Sequence, residues 1–176
     1  MIDFSGNYFD LFGLRPAFRF DVAALDRAYR TLQSEVHPDR FAGGSDVEKR
    51  IALQSSARVN EAYRALKDPV LRAQYLLALH GIDAVGETDT RLPIDFLERQ
   101  LERREQASDA CASGDVRTLS ALCADARAEA QALEDLLAQT LDGDRAFAAA
   151  RSRVRELTFL SKLADDIDAM LATIED

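Results

Sequence analysis

His37 and Asp39, separated by Pro38, are the residues whose types and spacing bear most directly on chemistry. An imidazole beside a carboxylate can serve as a general base with its orienting partner. It can equally offer a donor and an anion to a macromolecular partner from a rigid corner, because proline fixes its own φ and drives the preceding residue out of helical geometry. The enzymatic alternative has little beside it: there is no Gly-rich phosphate loop and no nucleophile motif. The only other histidine, His80, precedes Gly81 in what reads as a helix's last turn, where the dipole favours a charged imidazole and a structural role suffices. Cys111 and Cys123 lie in one Ala-rich region without CxxC spacing or nearby histidines, so both read as small core residues in a reducing compartment. No catalytic residue, metal site or cofactor is expected. On the residues alone, a recognition tip and a plain polar turn compete evenly for 37–39.

Composition narrows the partners. The 176 residues are 47% hydrophobic, enough for a real core in one large or two small domains. The net charge of −9 argues against a surface built to hold nucleic acid or anionic lipid. The charge is uneven: residues 1–80 carry 11 basic against 10 acidic side chains, residues 81–176 carry 11 against 21. Two halves with different partners would have this distribution. Met1-Ile2-Asp3-Phe4 contains no basic segment, and about 18 consecutive apolar residues occur nowhere, so a soluble, cytoplasmic protein is expected.

Helical periodicity runs through the chain without useful strand alternation, which predicts an all-α fold. Tyr8 to Leu14 reads as a turn or two of helix stopped by Gly13. Asp21 is a plausible N-cap for a helix whose Val22, Leu25, Tyr29, Leu32 and Val36 form one buried stripe, with Arg27, Arg30 and Ser34 opposite. Pro38 ends that helix at His37. Ser45 and Glu48 form a capping box for a long helix to about Lys67, with Val59, Ala62, Tyr63 and Leu66 inward. Asp68-Pro69 restarts the chain as a short helix through Tyr75, Leu76 and Leu79 to Gly81. Residues 1–80 are expected to form one unit, 81–92, with Gly86, Thr88 and Thr90, a linker, and 93–176 a three-helix bundle. The bundle's helices are predicted from Pro93 to about Ser113, Asp115 to Leu141, and Asp144 to about Ile174, with short breaks that favour antiparallel neighbours.

The order of helices around His37-Pro38-Asp39 resembles a J domain. The segments Tyr8-Phe9-Asp10-Leu11-Phe12-Gly13-Leu14, His37-Pro38-Asp39-Arg40-Phe41-Ala42, Val59 to Pro69 and Arg72 to Leu77 are similar, together, to those of the HscB family, the dedicated J-proteins of bacterial iron–sulfur cluster assembly. This resemblance spans nearly the whole chain. It implies a non-enzymatic co-chaperone whose loop residues His37, Pro38 and Asp39 engage the DnaK-class chaperone HscA and raise its ATPase rate. Arg27 and Arg30 are the matching candidates for the helix contact, by attraction to an acidic chaperone surface. Asp26 departs from the more basic helix face of general J domains.

The helix from Pro93 has apolar residues on two sides: Phe96, Gln100, Ala107 and Cys111 share one face, Ile94, Leu97 and Leu101 another. Spacing alone makes the second row more often core than interface. The resemblance reverses that preference, because HscB-type proteins present leucines of this helix, acidic neighbours and a phenylalanine of the last helix to the scaffold protein IscU. The matching positions are Leu97, Leu101, Glu102, Glu105 and Phe159, while Glu98 and Arg103 depart from the family's apolar pattern. Phe159 falls beside the stripe of Leu157 and Leu160 and is expected to pair with Leu163 at helical spacing. A J-domain protein with another client, a stand-alone helical interaction protein and an enzyme remain the alternatives.

Overall fold

The computed structural model describes residues 6–84 and 92–175, and every regular element among them is helical. Most of the linker expected over 81–92, including Gly86, Thr88 and Thr90, lies outside the described residues. The chain divides into two compact units, Met1–Leu76 and Leu77–Asp176.

In the first unit, α1 (Tyr8–Leu11) starts on a reciprocal capping box between Asn7 and Asp10 and ends before Gly13, whose φ of +66° only glycine adopts without strain. Asp21 accepts from the Ala23 amide and opens α2 (Val22–Val36). Pro38 stops α2 at His37, and residues Pro38–Phe41 tighten into one 3₁₀ turn. The Ser45–Glu48 box forms in both directions and starts α3 (Asp46–Lys67); Asp68 then caps α4 (Pro69–Leu79) through the Leu71 amide. Phe9, Phe18, Leu25, Val59, Ala62 and Leu66 are completely or almost completely buried. Each such aromatic or branched side chain stabilises the fold by about 1.5–3 kcal/mol. Val22 does not join the stripe of α2: it is 37% exposed, whereas Leu25 three residues on is fully buried.

The long α2–α3 pair is joined by a seam that is aromatic and polar. Tyr29 stacks on Tyr63 at 4.0 Å, and the Tyr29 hydroxyl and the Gln33 amide both donate to Asn60 Oδ1. Asp26 accepts from Lys67 Nζ at 2.8 Å and from the Tyr63 hydroxyl at 3.0 Å. The hydrogen bond from Lys67 is the main reason the Asp26 carboxyl sits below its ordinary value, while burial, then the bond to Asp26, pushes the Tyr63 hydroxyl up. Arg72, itself buried, donates to the Leu66 carbonyl and lies over the rings of Phe18 and Phe20.

The second unit contains α5 (Ile94–Ser113), α6 (Val116–Ala138) and α7 (Phe147–Glu175). Gly114 closes α5 at φ +68°, and Asp115 caps α6 by accepting from the Thr118 amide and hydroxyl. Ala107, Ala110, Ala126 and Ala164 let the three helices approach closely around Leu119, Leu122, Leu163 and Ile167. Cys123 lies in this core with its thiol pushed up by burial and by its bond to Asp168, which leaves it a protonated packing residue. The α6–α7 corner differs from the expected break at Asp142-Gly143. Residues Gln139–Gly143 widen into a π turn, Arg145 takes φ +52°, and α7 begins at Phe147, not Asp144. Arg153 donates to the buried Thr140 hydroxyl, holding that corner.

Candidate functional site

Two surfaces collect the residues singled out by sequence, one in each unit. In the first, His37 ends α2 with extended ψ and its Nδ1 accepts from the Asp39 amide at 3.3 Å. The neutral tautomer in this arrangement carries its proton on Nε2, which leaves a donor available to a partner. The Asp39 carboxylate stands 3.5 Å from His37 Nδ1 and its side chain is 90% exposed, so its charge is open to an incoming cation. Arg27 is exposed and pairs with the capping Asp21 at 3.2 Å, a contact weak enough at such exposure to be exchanged for a partner's acid. Arg30 is exposed one turn further along the same helix.

Arg40 is the loop residue that sequence reasoning passed over. Its guanidinium donates to the Ser34 carbonyl at 3.1 Å, one of the acceptors that the end of α2 leaves open, and so ties the 3₁₀ turn to the helix. An arginine two residues beyond a helix-ending proline was the available signal. Asp26, the acid on the otherwise basic face, belongs to the α2–α3 seam through Lys67 and Tyr63.

In the second unit, α5 resolves its two apolar faces. Phe96, Gln100 and Ala107 are buried; Ile94, Leu97 and Leu101 are 74%, 41% and 61% exposed. Glu102 and Glu105 are exposed beside the leucines, with Glu98 in the same row. Among the described residues these three carboxylates make no hydrogen bond or ion pair, whereas Arg99, Arg103 and Arg104 pair with Asp95, Glu129 and Asp166. The helix therefore presents leucines bordered by uncompensated negative charge.

Phe159 of α7 is half-buried, its ring set edge-on to Phe96 at 5.8 Å and 79°. The Arg104 guanidinium lies 5.2 Å from its centroid. Leu163, the expected partner of Phe159 at helical spacing, is 1% exposed and belongs to the core, with Leu160 fully buried as well, so Phe159 is the more exposed member of that pair. Arg103, one of the two departures on α5, turns to α6 and pairs with Glu129. Neither Phe96 as the wall behind Phe159 nor Arg104 above it could be assigned from helical spacing, since both contacts cross between helices far apart in sequence. Among the described residues no helix is long and apolar enough to cross a membrane.

Comparison with known proteins agrees with this division. Residues 7–75 match the model of the DnaJ domain, and residues 92–168 match that of the HSCB C-terminal oligomerisation domain. A curated relative, the co-chaperone protein HscB homolog of Burkholderia multivorans, is 45% identical over 175 residues, 99% of each chain. Among solved structures, chaperone HscB from Vibrio cholerae superposes with a TM-score of 0.84 at 34% identity, covering 96% of this chain and 99% of that one. Human co-chaperone protein HscB gives a TM-score of 0.85 at 29% identity, covering 95% and 83%. An exposed His-Pro-Asp turn between long helices, followed by a second helical unit with this full-length identity, places the chain in the HscB family of J-domain co-chaperones, which serve iron–sulfur cluster assembly.

Proposed function

We propose that this protein recruits the cognate chaperone HscA through His37, Pro38 and Asp39, with Arg27 and Arg30 as supporting contacts, and raises its ATPase rate. In the same reading, Leu97, Leu101, Glu102, Glu105 and Phe159 hold the scaffold IscU and present it to HscA in the cytoplasm. The protein acts as a regulator of a partner's hydrolysis and needs no metal or nucleotide of its own. Residues 1–80 serve as the chaperone-facing domain, 81–92 as the tether and 93–176 as the scaffold-facing domain.

The observation that carries the reading is the exposed face of α5. Leu97 and Leu101 are 41% and 61% exposed although the opposite side of the same helix supplies Phe96 and Ala107 to a complete core. Exposed leucines beside an aromatic, bordered by free carboxylates, suit a partner with an apolar centre and a basic rim. Titration calorimetry of IscU into the full chain tests this directly. The Leu97→Ala/Leu101→Ala/Phe159→Ala variant is expected to bind at least about 30-fold more weakly, since buried apolar anchors each contribute on the order of 1–2 kcal/mol or more. Unchanged affinity would remove the assigned surface.

A further inference from the structure

We propose that Arg104 is a positioning residue of the scaffold surface, holding the Phe159 ring in its binding orientation; the proposal rests on the assignment of Phe159 to that surface made above. Arg104 follows Leu97 and Leu101 at spacings of seven and three residues, so it continues the same stripe of α5 instead of joining the glutamate row. Its guanidinium reaches across to α7, where it lies 5.2 Å from the Phe159 centroid and donates to Asp166 Oδ2 at 3.1 Å. Asp166 is two helical turns beyond Phe159 on α7, so the arginine spans the ring and is anchored past it.

The ring thus meets the buried Phe96 edge-on and has the Arg104 guanidinium over it. A phenylalanine at the edge of a bundle would otherwise sample rotamers that partner binding has to freeze, and pre-ordering removes part of that cost. The guanidinium suits the task because it is flat, weakly hydrated and attracted to an aromatic face, so it can remain in place when water is excluded. Asp166 matters for sign: an uncompensated cation amid the leucines would repel the basic rim that the free glutamates call for. The neighbouring Arg99 and Arg103 pair with Asp95 and Glu129 and show no aromatic contact among the described residues, so covering a ring is specific to Arg104 on this helix. The plain alternative is an ordinary exposed helix–helix bridge, since Arg104 and Asp166 are each 44% exposed and such pairs contribute little to stability.

Calorimetric titration of IscU into the full-length protein, with Arg104→Ala, Arg104→Lys, Phe159→Ala and the Arg104→Ala/Phe159→Ala double variant, distinguishes the two. Arg104→Ala is expected to weaken binding about three- to tenfold, and Arg104→Lys nearly as much because lysine keeps the charge without the flat cover. Once Phe159 is removed, Arg104→Ala should change affinity less than about twofold, the non-additivity of residues that act as a unit. In the free protein, nuclear Overhauser contacts between the Phe159 and Phe96 rings should weaken on Arg104→Ala as the ring samples other rotamers, whereas a bridge that does not hold the ring would leave them unchanged. Wild-type affinity for Arg104→Ala, tighter binding, or independent losses in the double variant would overturn the assignment of Arg104 while leaving Phe159 in place. If Phe159→Ala itself binds IscU normally, both the scaffold surface and the role of Arg104 fall.

Discussion

Arg40 shows how a single side chain can complete a motif without belonging to it. The carbonyls in the last turn of α2 have no helical partner, and the Arg40 guanidinium takes one of them at Ser34, so the turn bearing Asp39 is tied back to α2 as well as stiffened by Pro38. Arg40→Ala should cost about 0.5–1.5 kcal/mol of unfolding free energy, the worth of one partly exposed hydrogen bond. It should also lower stimulation of HscA several-fold, because Asp39 then samples more orientations. Thermal unfolding and steady-state ATP hydrolysis, measured on the same preparation, separate the two effects. His37→Ala removes both the acceptor for the Asp39 amide and the outward Nε2 donor, so it is expected to reduce stimulation more than Arg40→Ala while leaving helicity by circular dichroism unchanged. Loss of helicity would instead make residue 37 a determinant of folding.

At the scale of elements, the α2–α3 seam makes a pH prediction. Lys67 and Tyr63 hold the folded Asp26 carboxyl below its ordinary value of 3.8. The folded state therefore binds that proton less readily than the unfolded state. Its contribution to stability is complete above 3.8 and is lost as the pH falls through the lower, folded value. Lys67 has the opposite sign: its ammonium is raised above 10.5, chiefly by the bond to Asp26, so its contribution is complete below 10.5 and fades as the pH rises through the folded value. Urea unfolding across these ranges should show a shallower acid limb for Asp26→Asn than for wild type, and an identical limb would mean the bridge contributes nothing. Gly114→Ala tests the α5–α6 corner. No neighbour blocks a Cβ there, but φ of +68° strains any side chain, so a loss of about 1–2 kcal/mol in urea unfolding is expected.

These same elements show what could be read beforehand. The caps at Asp21, Ser45 and Asp68 and the stops at Gly13, Pro38 and Gly114 were legible because each acts within four residues of the backbone it satisfies. The two faces of α5 were legible as periodicity, although which one met the core was not: that depends on α6 and α7. Spacing relates Leu163 to Phe159 but says nothing of the neighbours that enclose it. The π turn at Gln139–Gly143 has no composition of its own, and Arg104 reaches a partner 62 residues away. In the candidate site, Asp39 stood out by motif, Leu97 and Leu101 by their second face, and Phe159 chiefly by family resemblance.

For the whole molecule, the division of charge follows the proposed division of labour. The first 80 residues are nearly neutral, while the remainder carries 21 acidic against 11 basic side chains. Scaffold binding should therefore weaken with ionic strength as screening shortens to about 3 Å at 1 M salt, whereas the leucine contribution persists. Titrations of IscU at low and high salt should show a reduced slope for Glu102→Gln/Glu105→Gln, and an unchanged slope would place the electrostatic contact elsewhere. On the proposed reading, two interfaces on one chain would raise the effective concentration of scaffold at the chaperone without any new contact. The decisive measurement is the ATPase rate of HscA with this protein and IscU together, compared with each alone. Stimulation by the pair should exceed that of either component, disappear with Asp39→Asn, and fall to the scaffold-independent level with Leu97→Ala/Leu101→Ala/Phe159→Ala. Equal rates for wild type and Asp39→Asn would contradict the chaperone-facing role of the loop, and full synergy in the triple variant would contradict the delivery of IscU by α5 and α7.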